Sequence, residues 1–174
     1  MVETPVRDVS SLTIRRATLA DWPQIWPMVR DVARDGTTFA YDPALTEEQA
    51  REDWMTPAPG RVVVACSPET RVLGVANMYA NRPGPGAHIA SGSLIVAREA
   101  RHNGVGDRLV SDMVEWCRSQ RFAAIQFNAV VDTNTAAIRL YERHGFITVG
   151  TAPGAFEHPG KGRVGLRIMW RDLS

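Results

Sequence analysis

The stretch VAREARHNGVGDRLV, residues 96–110, connects two different apolar patterns. It begins where a continuous apolar run ends, which predicts a strand, and it continues into an apolar repeat at helical spacing. That repeat consists of Val105, Leu109, Met113 and Trp116. Where the strand gives way to the helix, the chain carries Arg101-x-x-Gly104-x-Gly106. Because glycine weakens a helix, two of them in its first turn indicate that the backbone there serves another purpose.

A phosphate site is the purpose that fits the two glycines best. A Walker loop requires Lys and then Ser or Thr after its last glycine, whereas Gly106 is followed by Asp107. A dinucleotide fingerprint requires a third glycine where Leu109 stands. A pyrophosphate cradle remains, because the backbone N–H groups of residues 101–107, the helix N-terminus and the charge of Arg101 would all attract phosphate oxygens. Plain loop punctuation is the alternative while this motif is considered by itself.

The composition is that of an ordinary globular protein. The chain has 174 residues, of which 44% are hydrophobic and 22% charged, so it is long enough to bury a core. We expect a single domain over residues 11–174 after a flexible leader, residues 1–10. The net charge of +1 provides no broad electrostatic surface for nucleic acid or an anionic membrane. Neither a signal peptide nor an apolar stretch of about 20 residues, the length of a membrane span, is found in the sequence.

The two cysteines favour a reducing compartment. Cys66 and Cys117 lie in apolar segments without metal-ligand spacing, which predicts buried free thiols and a cytoplasmic protein. A disulfide between them is the alternative. We expect no metal site.

The patterning predicts an α/β protein with the element order β-α-α-β-β-β-α-β-α-β-β, a mixed sheet covered by helices. Thr46 is expected to cap the second helix. Pro27 is expected to kink the first helix or to delay its start. Gly92, inside the fourth strand, is expected to mark a bulge.

A second motif follows the fifth strand, in TNTAAIRLYERHGF, residues 133–146. Its pattern, Asn-x-x-Ala-x-x-Leu-Tyr-x-x-x-Gly-Phe, together with Arg101-x-x-Gly104-x-Gly106, strongly resembles the GNAT superfamily of acetyl-CoA-dependent N-acetyltransferases. The resemblance covers the whole element order and is sharpest over residues 94–146. It implies a mixed, mostly antiparallel sheet with splayed central parallel strands, flanked by helices.

The resemblance also implies a binding site for acetyl-CoA. The fourth strand would pair with the pantetheine arm, the following loop would bind the pyrophosphate, and the next helix would contact the cofactor through an asparagine. The residues so implied are Leu94, Ile95, Val96, Arg101, His102, Asn103, Gly104, Val105, Gly106, Asp107 and Asn134.

The segments HIASGSLIV, FNAVVDTN and VGTAPGAF resemble, more narrowly, the branch that contains the fungal proline-analogue N-acetyltransferases, which acetylate azetidine-2-carboxylate. That resemblance implies that Asn128 and Ser91 bind the acceptor, although Ser91 stands where those enzymes have a longer asparagine. Asn128 is equally well explained as a buried amide whose hydrogen bonds are satisfied within the sheet. Phe39 and Tyr41, between the first two helices, are further candidates for the acceptor pocket.

Tyr141 is the candidate catalytic residue. The resemblance implies that it protonates the CoA thiolate, and a phenol carries its proton at neutral pH. A core aromatic residue is the alternative, because Tyr141 follows Ala137 and Ile138 at helical spacing.

The base that takes the proton of the acceptor amine stays open. Residues 89–96 contain no acidic side chain, so a water chain to Ser91, His88 or Glu157, or solvent itself, are the alternatives. The sequence thus predicts transfer of the acetyl group from acetyl-CoA to a primary or secondary amine of a small molecule or amino acid, by direct attack. A non-catalytic acyl-CoA-binding regulatory domain and a protein N-terminal or lysine acetyltransferase are the alternatives, and a homodimer is compatible with the sequence.

Overall fold

The central sheet has seven strands, with the fourth and fifth side by side at its middle. The computed structural model describes residues 11–174. The strands are β1 Thr13–Arg16, β2 Arg61–Cys66, β3 Val72–Ala80, β4 Ile89–Val96, β5 Ala124–Val131, β6 Ile147–His158 and β7 Gly162–Asp172. They lie in the order β1-β2-β3-β4-β5-β7-β6, and only β4 and β5 among these neighbours are parallel. The predicted fold class is therefore confirmed.

Four α-helices cover the two faces of this sheet: α1 Trp22–Asp35, α2 Glu47–Trp54, α3 Val105–Ser119 and α4 Thr135–Arg143. Side chains of α1 and α2 form one buried cluster, which includes Val64, and those of α3 and α4 form another, which includes Val63. Because successive side chains of a strand point to opposite faces, these two neighbours in β2 place the clusters on opposite sides of the sheet. The predicted order of strands and helices is confirmed.

The helix ends follow the local sequence closely. Thr46 caps α2 as predicted, since its hydroxyl accepts a hydrogen bond from Gln49 N at 3.3 Å. Helix α1 begins at Trp22 and includes Pro27, so the expected delay of its start is wrong. The N–H that Pro27 lacks would bond to the carbonyl of residue 23, in the first turn, so the helix loses one hydrogen bond there without ending.

Gly92 does not mark a bulge, and that expectation is also wrong. The register of β4 with β3 continues unbroken through Gly92, which pairs with Met78. A Cβ at this position would overlap the carbonyl oxygen of Asn77 and would lie 2.9 Å from Cε of Met113. Glycine is therefore needed because β3 and α3 approach the backbone closely.

Both cysteines are free and buried, as predicted. Burial raises the pKa of Cys117 to about 12, which keeps this thiol protonated and unreactive. No helix in residues 11–174 is long and apolar enough to cross a membrane. The predicted leader, residues 1–10, lies outside the described residues.

A buried carboxylate ties β1 to the start of α1. Asp21 accepts hydrogen bonds from Arg15 Nη2 at 2.6 Å, Arg15 Nη1 at 2.9 Å and Thr18 N at 2.8 Å. The hydrogen bonds from Arg15 hold the pKa of Asp21 near 2, well below its ordinary value of 3.8. The ionised carboxylate therefore stabilises the fold, and α1 with it.

We expect Asp21→Asn to lower the free energy of unfolding at pH 7 by about 1.5–3 kcal/mol, the contribution of a hydrogen bond to a charged group. Because the folded state depresses the pKa of Asp21, this contribution is present above pH 3.8 and is lost as the pH falls toward 2. Urea unfolding at several pH values measures it. Asp31→Asn, which removes an exposed partner of Arg30, is the matched control. Equal stability losses in the two variants, or a loss for Asp21→Asn that persists at pH 2, would contradict this account.

Candidate active site

A groove opens where the two parallel strands at the centre of the sheet separate. Strands β4 and β5 pair only through Ile89 with Ala124 and Ala90 with Ile125. Beyond these pairs both strands continue, and their carboxyl ends border a groove of about 770 Å³. The separation therefore creates a site inside the sheet and not on its surface.

The backbone of β4 is unpaired along this groove. Hydrogen bonds from Ala97 N to Leu73 O (2.9 Å) and from Asn81 N to Ile89 O (2.8 Å) show that odd-numbered residues of β4 bond to β3. In an antiparallel pair, alternate residues direct their N–H and C=O groups to opposite edges. The even-numbered peptides that face the groove are those of Gly92, Leu94 and Val96. They can accept an extended ligand as an added strand.

The loop after β4 directs a helix N-terminus at the same groove. His102 and Gly104 have positive φ angles, 63° and 74°, and Gly104 is the N-cap of α3. Within the described residues no side chain caps α3, so the first N–H groups of the helix remain available. Arg101 and His102 line the groove beside them. This phosphate end of the groove fits the pyrophosphate of CoA, which requires backbone donors and positive charge.

Helix α4 completes the phosphate end. Gly106 lets the two helices approach, because a Cβ there would lie 3.0 Å from Cδ2 of Leu140. Arg143 Nη2 donates to both carboxylate oxygens of Asp107 at 3.0 Å, and His144 Nε2 lies 3.2 Å from Asp107 Oδ1. The carboxylate at this end is thus balanced by cationic partners, and Arg139 adds a further positive charge to the lining.

Most of the residues predicted to bind acetyl-CoA lie along this groove. Its lining includes Leu94, Ile95, Val96, Arg101, His102, Gly104, Gly106, Asp107 and Asn134. Asn103 and Val105 are not among the lining residues, and the side chain of Val105 is buried in the core. Asn134 caps α4, since its Oδ1 accepts a hydrogen bond from Ala137 N at 3.2 Å. Its side chain therefore stabilises the helix that carries Tyr141.

Tyr141 belongs both to the core and to the groove. Its ring packs against Phe127, with ring centroids 4.4 Å apart, and the residue is only 8% exposed. It also lines the groove, and within residues 11–174 its hydroxyl has no hydrogen-bond partner. Burial raises the pKa of Tyr141 above its ordinary value of 10. The hydroxyl is therefore protonated and free to donate.

The other end of the groove, which we call the acceptor end, is lined by Phe39, Tyr79, Ser91 and Asn128. Tyr41 is not in the lining but stacks on Phe39, with ring centroids 5.4 Å apart. Burial raises the pKa of Tyr41 to about 12. Of the alternative bases only Ser91 lines the groove, whereas His88 and Glu157 do not.

Sequence analysis missed three residues at the acceptor end. Tyr79 lies opposite Ser91 in the β3–β4 ladder, so the pairing of the two strands would have indicated it. Asn81 and Gln126 both hydrogen-bond to Asn128. No local pattern marks these two amides, because Asn81 is 47 positions away from Asn128 and Gln126 lies on a strand face whose neighbours the sequence does not specify.

Comparison with known proteins agrees with this geometry. The family model described as "Acetyltransferase (GNAT) family" matches residues 26–146, more than half of the chain. The structure of a GCN5-related N-acetyltransferase from Kribbella flavida is 52% identical, with a TM-score of 0.93, and covers 95% of this chain and 100% of its own. A phosphinothricin acetyltransferase from Sinorhizobium meliloti, solved in complex with AcCoA, is 23% identical with a TM-score of 0.85 and covers 94% of this chain and 89% of its own, which shows the shared fold.

A curated relative also shares part of the chain. N-acetyltransferase aca1 of Schizosaccharomyces pombe is 28% identical over 129 residues, which are 66% of this chain and 62% of the relative. The chain thus spans somewhat less than two thirds of that relative's length.

The splayed sheet and the family match define an acyltransferase that uses acetyl-CoA. The chain belongs to the acetyltransferase (GNAT) family. The predicted superfamily is thereby confirmed, whereas the narrower fungal branch stays a prediction.

We expect Gly104→Ala to weaken acetyl-CoA binding about fivefold or more, because alanine either strains the left-handed backbone or turns its N–H groups away from the phosphate. Isothermal titration measures the affinity. Gly162→Ala is the matched control, since Gly162 has a φ of 67°, lies at the turn between β6 and β7, and has no atom within 4 Å of the place that a Cβ would occupy. Both variants should lose about 1 kcal/mol of stability. Equal affinities for acetyl-CoA in the two variants would exclude the cradle.

Proposed function

We propose that this chain transfers the acetyl group of acetyl-CoA to the primary or secondary amine of a small molecule or amino acid, by direct attack and with Tyr141 as general acid. One observation carries the proposal: the unpaired edge of β4 and the uncapped start of α3 border the same groove as the hydroxyl of Tyr141. A groove with a strand edge, an anion site and a buried proton donor fits a thioester substrate that leaves as a thiolate.

The donor would lie along the open edge of β4. The peptides of Leu94 and Val96 would pair with the amide groups of the pantetheine arm, and the N–H groups at the start of α3 would bind the pyrophosphate. Arg101, Arg139 and Arg143 place positive charge at the phosphate end. An N–H of β4 that faces the groove would stabilise the negative charge that develops on the thioester oxygen.

Bound acetyl-CoA supplies the thioester, whose carbonyl carbon forms a bond to the amine nitrogen while its C–S bond breaks. Tyr141 would donate its proton to the departing sulfur, and solvent would restore that proton. Burial keeps Tyr141 protonated, and the same lack of water raises the basicity of a thiolate beside it. The transfer from phenol to sulfur is therefore less unfavourable than the ordinary pKa values of the two groups indicate.

Solvent would receive the proton of the amine, directly or through a water at Ser91. Among the groove-lining residues in the described chain, the only carboxylate is that of Asp107, and it is held by Arg143 and His144. No described side chain at the acceptor end is acidic. The acceptor would consequently react as the fraction of amine that is already neutral.

We expect Tyr141→Phe to lower kcat by about 10²-fold, because the substitution removes a positioned acid and leaves the ring in place. Steady-state assays that detect the released thiol measure the change. The affinity for acetyl-CoA and the thermal unfolding midpoint serve as controls and should stay close to wild type. A variant with wild-type kcat would exclude the assigned role of Tyr141.

We also expect kcat/KM for the acceptor to rise about tenfold per pH unit until the pH reaches the pKa of the amine. Above that pH it should stay level to about pH 10, because burial raises the pKa of Tyr141 beyond its ordinary value. Profiles for two amines of different pKa distinguish the alternatives. An inflection near pH 6–7 that is the same for both amines would instead reveal a base on the enzyme.

A screen of amines with thiol detection tests the function itself. The panel should include amino acids, polyamines, simple alkylamines and peptides with free N-termini, each with acetyl-CoA. Turnover of a small amine supports the proposal. Tight acetyl-CoA binding without turnover of any amine would indicate a regulatory domain, and turnover of peptides alone would indicate a protein acetyltransferase.

We propose the cytoplasm as the site of this reaction. The two buried cysteines remain unpaired in the described chain, in keeping with a reducing environment.

A further inference from the structure

Three amide side chains meet at the acceptor end of the groove. Asn128 Nδ2 donates a hydrogen bond to Asn81 Oδ1 at 2.7 Å, and Asn81 Nδ2 donates one to Asn128 Oδ1 at 3.3 Å. Gln126 Nε2 donates to the same oxygen of Asn128 at 2.8 Å. Of these three residues, only Asn128 lines the groove. Asn81 and Gln126 therefore act on the groove through Asn128.

These bonds leave Asn128 with a donor to offer. Its carbonyl oxygen has two lone pairs, which the N–H groups of Asn81 and Gln126 occupy. Its Nδ2 has two N–H bonds, for which the described residues provide one acceptor, the oxygen of Asn81. The remaining N–H suits an oxygen of a ligand and does not suit an ammonium group.

Gln126 determines which way the amide of Asn128 points. The pair formed by Asn81 and Asn128 is reciprocal, so exchanging nitrogen and oxygen in both residues would preserve both of its hydrogen bonds. The bond from Gln126 is not reciprocal. After such an exchange the N–H of Gln126 would meet another N–H, so this residue selects the orientation with the donor free.

We propose that Gln126 is a positioning residue, and that it orients Asn128 to bind an sp² oxygen on the carbon beside the acceptor's amine. The inference rests on the proposed function and narrows it to α-amino or imino acids or their carboxamides. The charges of the groove agree, because the only carboxylate in its described lining lies at the phosphate end, bonded to Arg143. Ser91, only 2% exposed, provides a second short polar group at the acceptor end.

The test compares two charge-matched variants. In Gln126→Glu the new side chain can only accept, so Asn128 must turn an N–H toward it and present its oxygen to the groove. In Asn81→Asp the same charge is added nearby, but the new carboxylate still accepts the N–H of Asn128, so the orientation is kept. The probes are the twenty proteinogenic amino acids and azetidine-2-carboxylate, and then the carboxamide and the decarboxylated amine of the best substrate.

Wild type should prefer the amino acid and its carboxamide over the decarboxylated amine by about tenfold or more in kcat/KM, the effect of one well-placed hydrogen bond. Gln126→Glu should abolish the preference for the carboxamide, a neutral probe on which the added charge has little effect. Asn81→Asp should keep most of that preference. The KM for acetyl-CoA should be similar in all three proteins, which separates acceptor recognition from damage to the donor site.

Equal losses of preference in the two variants would overturn the role of Gln126. Acetylation of decarboxylated amines as fast as of amino acids by wild type would overturn the acceptor class and leave the proposed function standing. Acetyl-CoA binding without acetylation of any probe would overturn the proposed function itself. Should Gln126→Glu fail to fold, Gln126→Met frees Asn128 to adopt both orientations and should lower the preference about twofold, and an unchanged preference would count against the proposal.

Discussion

The active-site groove depends on the fact that β4 and β5 pair over only two residue pairs before they separate. A parallel pair that continued would bond the even-numbered peptides of β4 to β5 and leave no room between the strands. Because the strands diverge, those peptides have no partner on the strand beside them. A buried, unpaired peptide is costly, so an edge of this kind is stable only when water or a ligand bonds to it. The fold thus contains a strand-shaped opening at its centre.

The remaining elements surround this opening. Helix α3 starts directly after β4, and helix α4 starts directly after β5, so each diverging strand carries a helix N-terminus toward the same groove. Asp107 joins the two helices through Arg143. Gly92 and Gly106 allow the close approaches that hold β4 against β3 and α3 against α4. Tyr141 follows from the same arrangement, because α4 must pack on Phe127 to cover β5.

Local sequence patterns were sufficient to predict the elements and the phosphate end. Apolar periodicity and Gly104 act over a few residues, and residues close in sequence form the loop from β4 to α3. The acceptor end could not be predicted in the same way. Asn81 and Gln126 come from strands that are not neighbours, and they meet only because β4 and β5 splay. Gly92 was misjudged for a related reason, since its close neighbours Asn77 and Met113 come from other elements.

Amide hydrogen exchange, followed residue by residue by NMR with and without acetyl-CoA, tests the central claim most directly. The account predicts that the amides of Leu94 and Val96, which face the groove, exchange rapidly in the free protein and become protected when acetyl-CoA binds. The amide of Ile95, which lies opposite Val75 in the ladder with β3, should exchange slowly in both states. Slow exchange at all three positions in the free protein, or no added protection at Leu94 and Val96 on binding, would contradict the account.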